Sequence, residues 1–230
     1  VRAFLAALLL ALALPALAQA PVRDIPLEGT RNTRDLGGLP AGAGRVRAGM
    51  VYRSGALCFL SEADVERLKA LGLQTLIDLR TRSEIERDGP DRLSLTDSIP
   101  VRLWLPMQSQ GQGLAAYRWQ IAHNDRVLRG FFGVLAEPAS YPVLFHCSAG
   151  KDRTGILTAL LLEALGTPRQ HIMADYLRSQ ERSPALVVRP EWLQAVFEAV
   201  DQAGGIGPFL ERAGVDAATQ ARLRTLLVVE

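Results

Sequence analysis

The sequence predicts an α/β domain of three layers, α/β/α, with a central and largely parallel sheet. Three observations carry this reading. Short apolar runs at residues 75–79 and 142–145 have the length and the branched or aromatic content of strands buried on both faces. Longer segments keep helical spacing, as in Val127, Leu128, Phe131, Phe132 and Leu135. Finally, the run Val143-Leu144-Phe145-His146 enters a short loop that opens directly into the apolar stretch 156–165, a strand–loop–helix unit typical of doubly wound sheets.

The elements follow in order. Residues 24–49 are rich in Gly, Arg and Pro and predict loops and short strands over one side of the sheet. Residues 51–53 read as a short strand. Ser61 caps a helix through residue 70 with acidic residues in its first turn, and Gly72 ends it. A buried strand covers residues 75–79, a polar surface helix or loop residues 81–91, and a further strand residues 99–105. The uncharged, glycine-rich block 107–113 leads into a helix at 114–123 carrying Tyr117, Trp119 and Ile121. Such a block forms either a mobile lid or a plain connection packed by its aromatics. An amphipathic helix at 125–135 precedes the central strand 142–145. The helix at 156–165, apolar on nearly all faces, belongs behind the loop. Further helices are expected at 168–178, 191–203, 208–213 and 216–228.

At 230 residues and 48% hydrophobic content, the chain suits one domain, expected over 21–230. Residues 1–20 stand apart. Arg2, an apolar run at 3–14 and then Pro15-Ala16-Leu17-Ala18-Gln19-Ala20 follow the order of a cleavable signal peptide, cut after Ala18 or Ala20. The apolar run is shorter than the roughly 20 residues a spanning helix requires. The expectation is a secreted or periplasmic protein without a stable membrane anchor. A formal charge of +2, one unit of it in the leader, is no charge excess of the kind nucleic-acid binding uses; the basicity that matters is local, and no nucleic-acid partner is expected.

The chemistry concentrates in His146-Cys147-Ser148-Ala149-Gly150-Lys151-Asp152-Arg153-Thr154-Gly155. The first turn of a helix has unpaired amides and a partial positive charge, and successive N–H groups in a tight loop add a concave anion nest. Ser148, Ala149 and Gly150 are small enough for backbone to close around a ligand. Arg153 offers a planar fork for two phosphate oxygens. The same field lowers the pKa of Cys147; thiols in such settings fall to roughly 3.5–7.5. A thiolate nucleophile beneath a phosphate cradle implies attack on phosphorus, with Lys151, Asp152 and Arg153 completing the binding set begun by Ser148, Ala149 and Gly150. His146 either orients the loop and tunes the thiol or is a core histidine. Thr154 either donates to the sulfur or is an ordinary first-turn residue.

An ester oxygen leaves slowly unless protonated, so a general acid is needed. Residues 98–124 contain no Asp or Glu. Asp125 begins a helix, where it favours the positive end of the dipole. Asp152 and Asp78 remain as candidates, the latter with a competing role as ion-pair partner of Arg80 or Arg53. Lys151 is one of only two lysines among 24 arginines; either it meets a second phosphate on the substrate or it is a solvated loop charge. Cys58, in an apolar setting, reads as a buried free thiol, with a reversible bridge to Cys147 as the alternative. No cofactor or metal is called for, and the three histidines show no ligand spacing.

The Cys-x5-Arg spacing resembles the signature of the protein-tyrosine-phosphatase superfamily, and the string HCSAGKDRTG resembles the bacterial tyrosine/serine phosphatase family. Asn32-Thr33-Arg34-Asp35-Leu36-Gly37-Gly38, Tyr52-Arg53-Ser54-Gly55, Ile77-Asp78-Leu79-Arg80 and Asp175-Tyr176-Leu177 resemble that family's other blocks in order. Thr33 departs from the pattern, which usually carries an aromatic residue there. The resemblance implies a phosphotyrosine-phosphatase-like fold, a phosphocysteine intermediate and Asp152 as the acid. It also implies phosphotyrosine protein as substrate, with phosphoserine/threonine or phosphoinositides beside it. An inositol-phosphate phosphatase, rhodanese-type sulfur transfer and a non-catalytic phosphate-binding module are the rival readings.

Overall fold

A computed structural model of the chain describes residues 23–182 and 186–230. The leader-like segment therefore lies outside the described residues. The five-stranded sheet has the order β1-β4-β7-β5-β6, built from β1 (Arg34–Asp35), β4 (Val51–Ser54), β7 (Val143–His146), β5 (Thr75–Asp78) and β6 (Val101–Trp104). All neighbours run parallel except β1, which lies antiparallel along β4. In register, Ser54 and Asp78 flank His146, so three strands deliver their carboxyl ends to one place.

Alternation explains the layers. On β7, Val143 and Phe145 join one apolar core while Leu144 joins another; Ile77 and Leu76 on β5, and Val51 and Tyr52 on β4, divide the same way. Side chains on a strand point alternately to opposite faces, so an unbroken apolar run needs helices on both sides. One face is covered by α5 (Asp125–Leu135) and α6 (Asp152–Ala164), the other by α1 (Glu62–Lys69) and the short α3 (Leu93–Thr96). The predicted three-layer α/β architecture is the observed one. Helix α6 is apolar all round because α7 (Arg169–Arg182), α8 (Pro190–Gln202) and α9 (Ile206–Arg212) enclose its outer side.

One open alternative closes and one expectation needs correction. The polar stretch after β5 forms a helix, α2 (Arg82–Asp88), opened by a capping box between Thr81 and Glu84. The last helix, α10 (Ala217–Leu227), stops one residue early. The β-branched pair Val228–Val229 forms β8 and pairs antiparallel with β3 (Gly44–Val46), itself paired with β2 (Pro40–Ala41).

Beside the sheet lies a buried charge cluster. The Asp175 carboxylate accepts from Arg34 Nε at 3.1 Å and Arg53 Nη1 at 2.9 Å, and Arg23 pairs with it as well. Burial opposes its ionisation, but Arg34, Arg53 and Arg23 outweigh that and hold it well below the usual carboxylate range. Replacing Asp175 by Ala should cost about 3–5 kcal/mol, because two fully buried guanidinium groups would lose their counter-charge. Urea unfolding of the variant checks this.

Candidate active site

The site is built by fixing peptide planes. Cys147 follows β7 and is 2% exposed. Each of the next carbonyls is held from outside the loop: the Cys147 oxygen by His146 Nδ1 at 3.4 Å, and the Ser148 oxygen by the Ala56 amide at 3.1 Å. Asn32 Nδ2 holds the Ala149 oxygen at 2.8 Å, and Arg53 Nη2 the Gly150 oxygen at 2.7 Å. In a planar trans peptide the following N–H points opposite to the carbonyl. Four carbonyls turned outward therefore turn the amides of Ser148, Ala149, Gly150 and Lys151 inward. Helix α6 begins at Asp152 and adds its own unpaired first-turn amides.

Gly150 has φ +66°, and an added Cβ would sit 2.6 Å from the Gly55 amide nitrogen. Only glycine permits both. Asn32 holds a positive φ of 63°, an uncommon backbone state that places its amide against the loop. Thr33 is buried, its hydroxyl 2.8 Å from that of Ser54, so the departure at this position is absorbed by a polar contact.

Arg153 is oriented by a residue that sequence reasoning missed. Glu84, on α2, accepts from both Arg153 Nη atoms, at 2.6 Å from Nη1, and Arg153 Nη1 also donates to the Leu79 carbonyl at 3.2 Å. Those bonds engage three of the five guanidinium protons. The two left free among the described residues, on Nε and Nη2, form one edge of the fork, the edge that suits two phosphate oxygens. Glu84 also accepts from the Ser148 hydroxyl and the Thr81 amide, each at 2.8 Å. Burial opposes its charge, but the hydrogen bonds and charge of Arg153, with the Thr81 amide and Ser148 hydroxyl, together outweigh it and lower its pKa from 4.5 to about 2. The capping-box spacing Thr81-x-x-Glu84 was visible in the sequence, but it signals a helix start and carries no hint of Arg153.

The Cys147 thiol is lowered overall. Burial raises it, while Arg153 and the Thr154 hydroxyl and amide lower it by more. The Thr154 hydroxyl is buried, has no nitrogen or oxygen partner among the described residues, and is one of the groups that lower the Cys147 thiol. His146 is fully buried. Burial would lower its pKa, but Asp91, 2.9 Å from Nε2, raises it on balance. Asp91 is a second residue the sequence did not single out. It binds Arg80 too, and Arg80 spans Asp78 at 2.8 Å. Asp78 is thus an ion-pair partner of Arg80, 3.9 Å from His146, and supports the loop from below. Asp78, Asp91 and His146 lie close enough to hold a cation, yet Arg80 already supplies that charge.

A cleft of about 510 Å³ opens above the loop, lined by Glu84, Tyr117, Lys151, Asp152, Arg153 and Trp192 among others. Asp152 reaches this cleft; Asp125 lines a different groove between α4 (Gly113–His123), α8 and α9. Lys151 is neither a flexible point charge nor solvated. It is 8% exposed, donates to the Val187 carbonyl at 2.6 Å, lies 3.2 Å from Asp152 and sits over the Trp192 ring. The helix α4 (Gly113–His123) of the lid alternative is packed by its aromatics, with Tyr117 buried against Trp192, while residues 108–112 form the rim. Cys58 is a free thiol but only partly buried, and it is unbridged to Cys147.

A buried cysteine of lowered pKa under inward amides and an arginine fork defines the class of cysteine-dependent phosphatases. The tyrosine phosphatase family model matches residues 25–229, and the chain belongs to that family. It is 33% identical over 224 residues to an inferred tyrosine-protein phosphatase of Cupriavidus necator, covering 79% of this chain and 80% of that one. It is 30% identical over 283 residues to the triple specificity protein phosphatase PtpB of Mycobacterium tuberculosis, covering 90% and 99%. Among solved structures, the core catalytic domain of the S. cerevisiae PP-IP phosphatase SIW14 is similar at 19% identity and a TM-score of 0.47, over 75% of this chain and 86% of that one.

Two outcomes follow. Glu84→Gln should lower kcat/KM on any phosphate ester by roughly ten- to a hundredfold, on the order of 1.4–2.7 kcal/mol, while leaving thiolate formation intact by iodoacetate alkylation. Because Glu84 is held at about 2 against 4.5 when free, it contributes stability fully present above about pH 4.5. That contribution is lost as pH falls towards 2, so wild type and Glu84→Gln should converge in Tm across this acid range, as calorimetry would record.

Proposed function

We propose that the protein is a phosphomonoesterase that uses Cys147 as nucleophile and acts on phosphotyrosine proteins, with phosphoserine/threonine and phosphoinositides as further substrates. The observation that carries the site assignment is the set of four outward-held carbonyls, since it turns a ring of N–H groups, unpartnered among the described residues, towards a lowered thiol. The phosphoryl group sits on the amides of residues 148–153 and the free edge of Arg153, in line with the sulfur. The transition state is largely loose, so positioning and charge stabilisation supply most of the rate. The Cys147 thiolate forms a bond to phosphorus as the ester P–O bond breaks, and Asp152 gives its proton to the departing oxygen. Water then attacks the phosphocysteine, Asp152 takes its proton, and inorganic phosphate and thiolate are released.

Asp152 is favoured over Asp78 and Asp125 because it alone of the three lines the cleft. The substrate range is supported by family membership and by a relative named for triple specificity. An inositol-phosphate phosphatase is the second reading. The tethering of Lys151 to Val187 and Trp192 counts against it, since no second cation of the loop is left free for another phosphate. The leader-like residues 1–20 support export to a secreted or periplasmic location; a mature protein beginning after Ala18 or Ala20, read by mass spectrometry, would bear this out.

Cys147→Ser should abolish turnover and still bind phosphate esters. Asp152→Asn should slow alkyl phosphates by roughly a hundredfold while an activated aryl phosphate loses about tenfold or less. Equal losses on the two substrates would remove Asp152 as the acid, and an active Cys147→Ser would sink the mechanism.

A further inference from the structure

The acid and its surroundings carry one step more. The side chain of Asp152 projects from the first turn of α6 and is 34% exposed. Its Oδ1 accepts from the Tyr117 hydroxyl at 2.8 Å and lies 3.2 Å from Lys151 Nζ. Among the described residues Oδ2 has no partner. Tyr117 is buried, and its hydroxyl is also 2.7 Å from that of Tyr176.

The direction of this chain is set at its Asp152 end. The Tyr117 hydroxyl donates its single proton to Oδ1, so the Tyr176 hydroxyl is the donor to Tyr117. A lysine ammonium is donor-only, so both neighbours of Oδ1 are donors. Oxygen Oδ1 is therefore an acceptor whether the carboxyl is protonated or not, and the proton that moves must sit on Oδ2. Burial and Asp152 itself push the Tyr117 phenol well above its ordinary value, so it stays a donor across the working range.

We propose that Tyr117 is a positioning residue that fixes the rotation of the Asp152 carboxyl, so that Oδ2 carries the proton to the leaving oxygen and later receives the proton of the attacking water. This rests on the assignment of Asp152 as the acid. It also gives residues 107–123 a role: a segment with no carboxylate of its own supplies the hydroxyl that aims one borne by the loop. Lys151 acts with it from the other side, held in place by Val187 and Trp192.

The test uses the full chain with Tyr117→Phe, Asp152→Asn and the double variant, assayed on p-nitrophenyl phosphate and on an alkyl phosphate such as phosphoserine peptide. Tyr117→Phe should lower kcat on the alkyl ester by about tenfold or more and on the activated aryl ester by less than about threefold, with KM little changed. In the Asp152→Asn background it should add almost nothing, because a carboxyl proton is no longer there to aim. Iodoacetate titration of Cys147 should not move. A uniform loss on both esters, or a full additional loss in the double variant, overturns the proposal and leaves Asp152 as the acid. If Asp152→Asn itself shows no leaving-group dependence, the acid assignment falls first and the positioning role falls with it. Should Tyr117→Phe fold poorly, Tyr176→Phe removes the donor behind Tyr117 and should give a smaller effect of the same leaving-group sense; no such sense would count against the proposal.

Discussion

The orientation of four peptide planes is the constraint on which the rest depends. An amide can serve a phosphate only if its own carbonyl is satisfied elsewhere, because a buried, unpaired carbonyl costs about 1–3 kcal/mol. Ala56, Asn32, Arg53 and His146 meet that need from three separate stretches of chain. The loop is thus a surface imposed on a few small residues by their surroundings. The glycine at its centre is there because two backbones approach within a distance that no Cβ tolerates.

Those surroundings are themselves held by charge. Arg53 reaches the loop while pairing with Asp175, which also anchors Arg34, next to Asn32. On the other side Arg80 joins Asp78 and Asp91, and Asp91 holds His146. Two buried ionic clusters flank the cysteine and clamp the loop between them. Buried ion pairs add little net stability, since desolvation offsets most of the attraction. Their contribution here is geometric, because a guanidinium shared between a carboxylate and a loop carbonyl has almost no freedom to rotate.

Glu84 and Tyr117 extend the same logic to the two groups that meet the substrate. Each uses up part of the hydrogen-bonding capacity of its partner and leaves a defined remainder: one edge of Arg153, one oxygen of Asp152. Membership of the tyrosine phosphatase family accounts for the loop, and these two contacts describe how this chain equips it.

Much of this was legible in the chain. The strand–loop–helix unit, the three layers and the nucleophile with its arginine follow from local patterns: short unbroken apolar runs, a helix start and a fixed Cys-to-Arg spacing. Such patterns act over one or two turns of chain, so they survive without knowledge of the fold. The spacing Thr81-x-x-Glu84 is equally local, yet at most it signals a helix start and it says nothing of Arg153, 69 positions away. Lys151 read as a free charge because nothing nearby in sequence announces Val187 or Trp192. Asp91, Glu84 and Tyr117 entered the site only when folding brought distant segments within 3 Å, since a hydrogen bond depends on where atoms lie in space and not on their order along the chain.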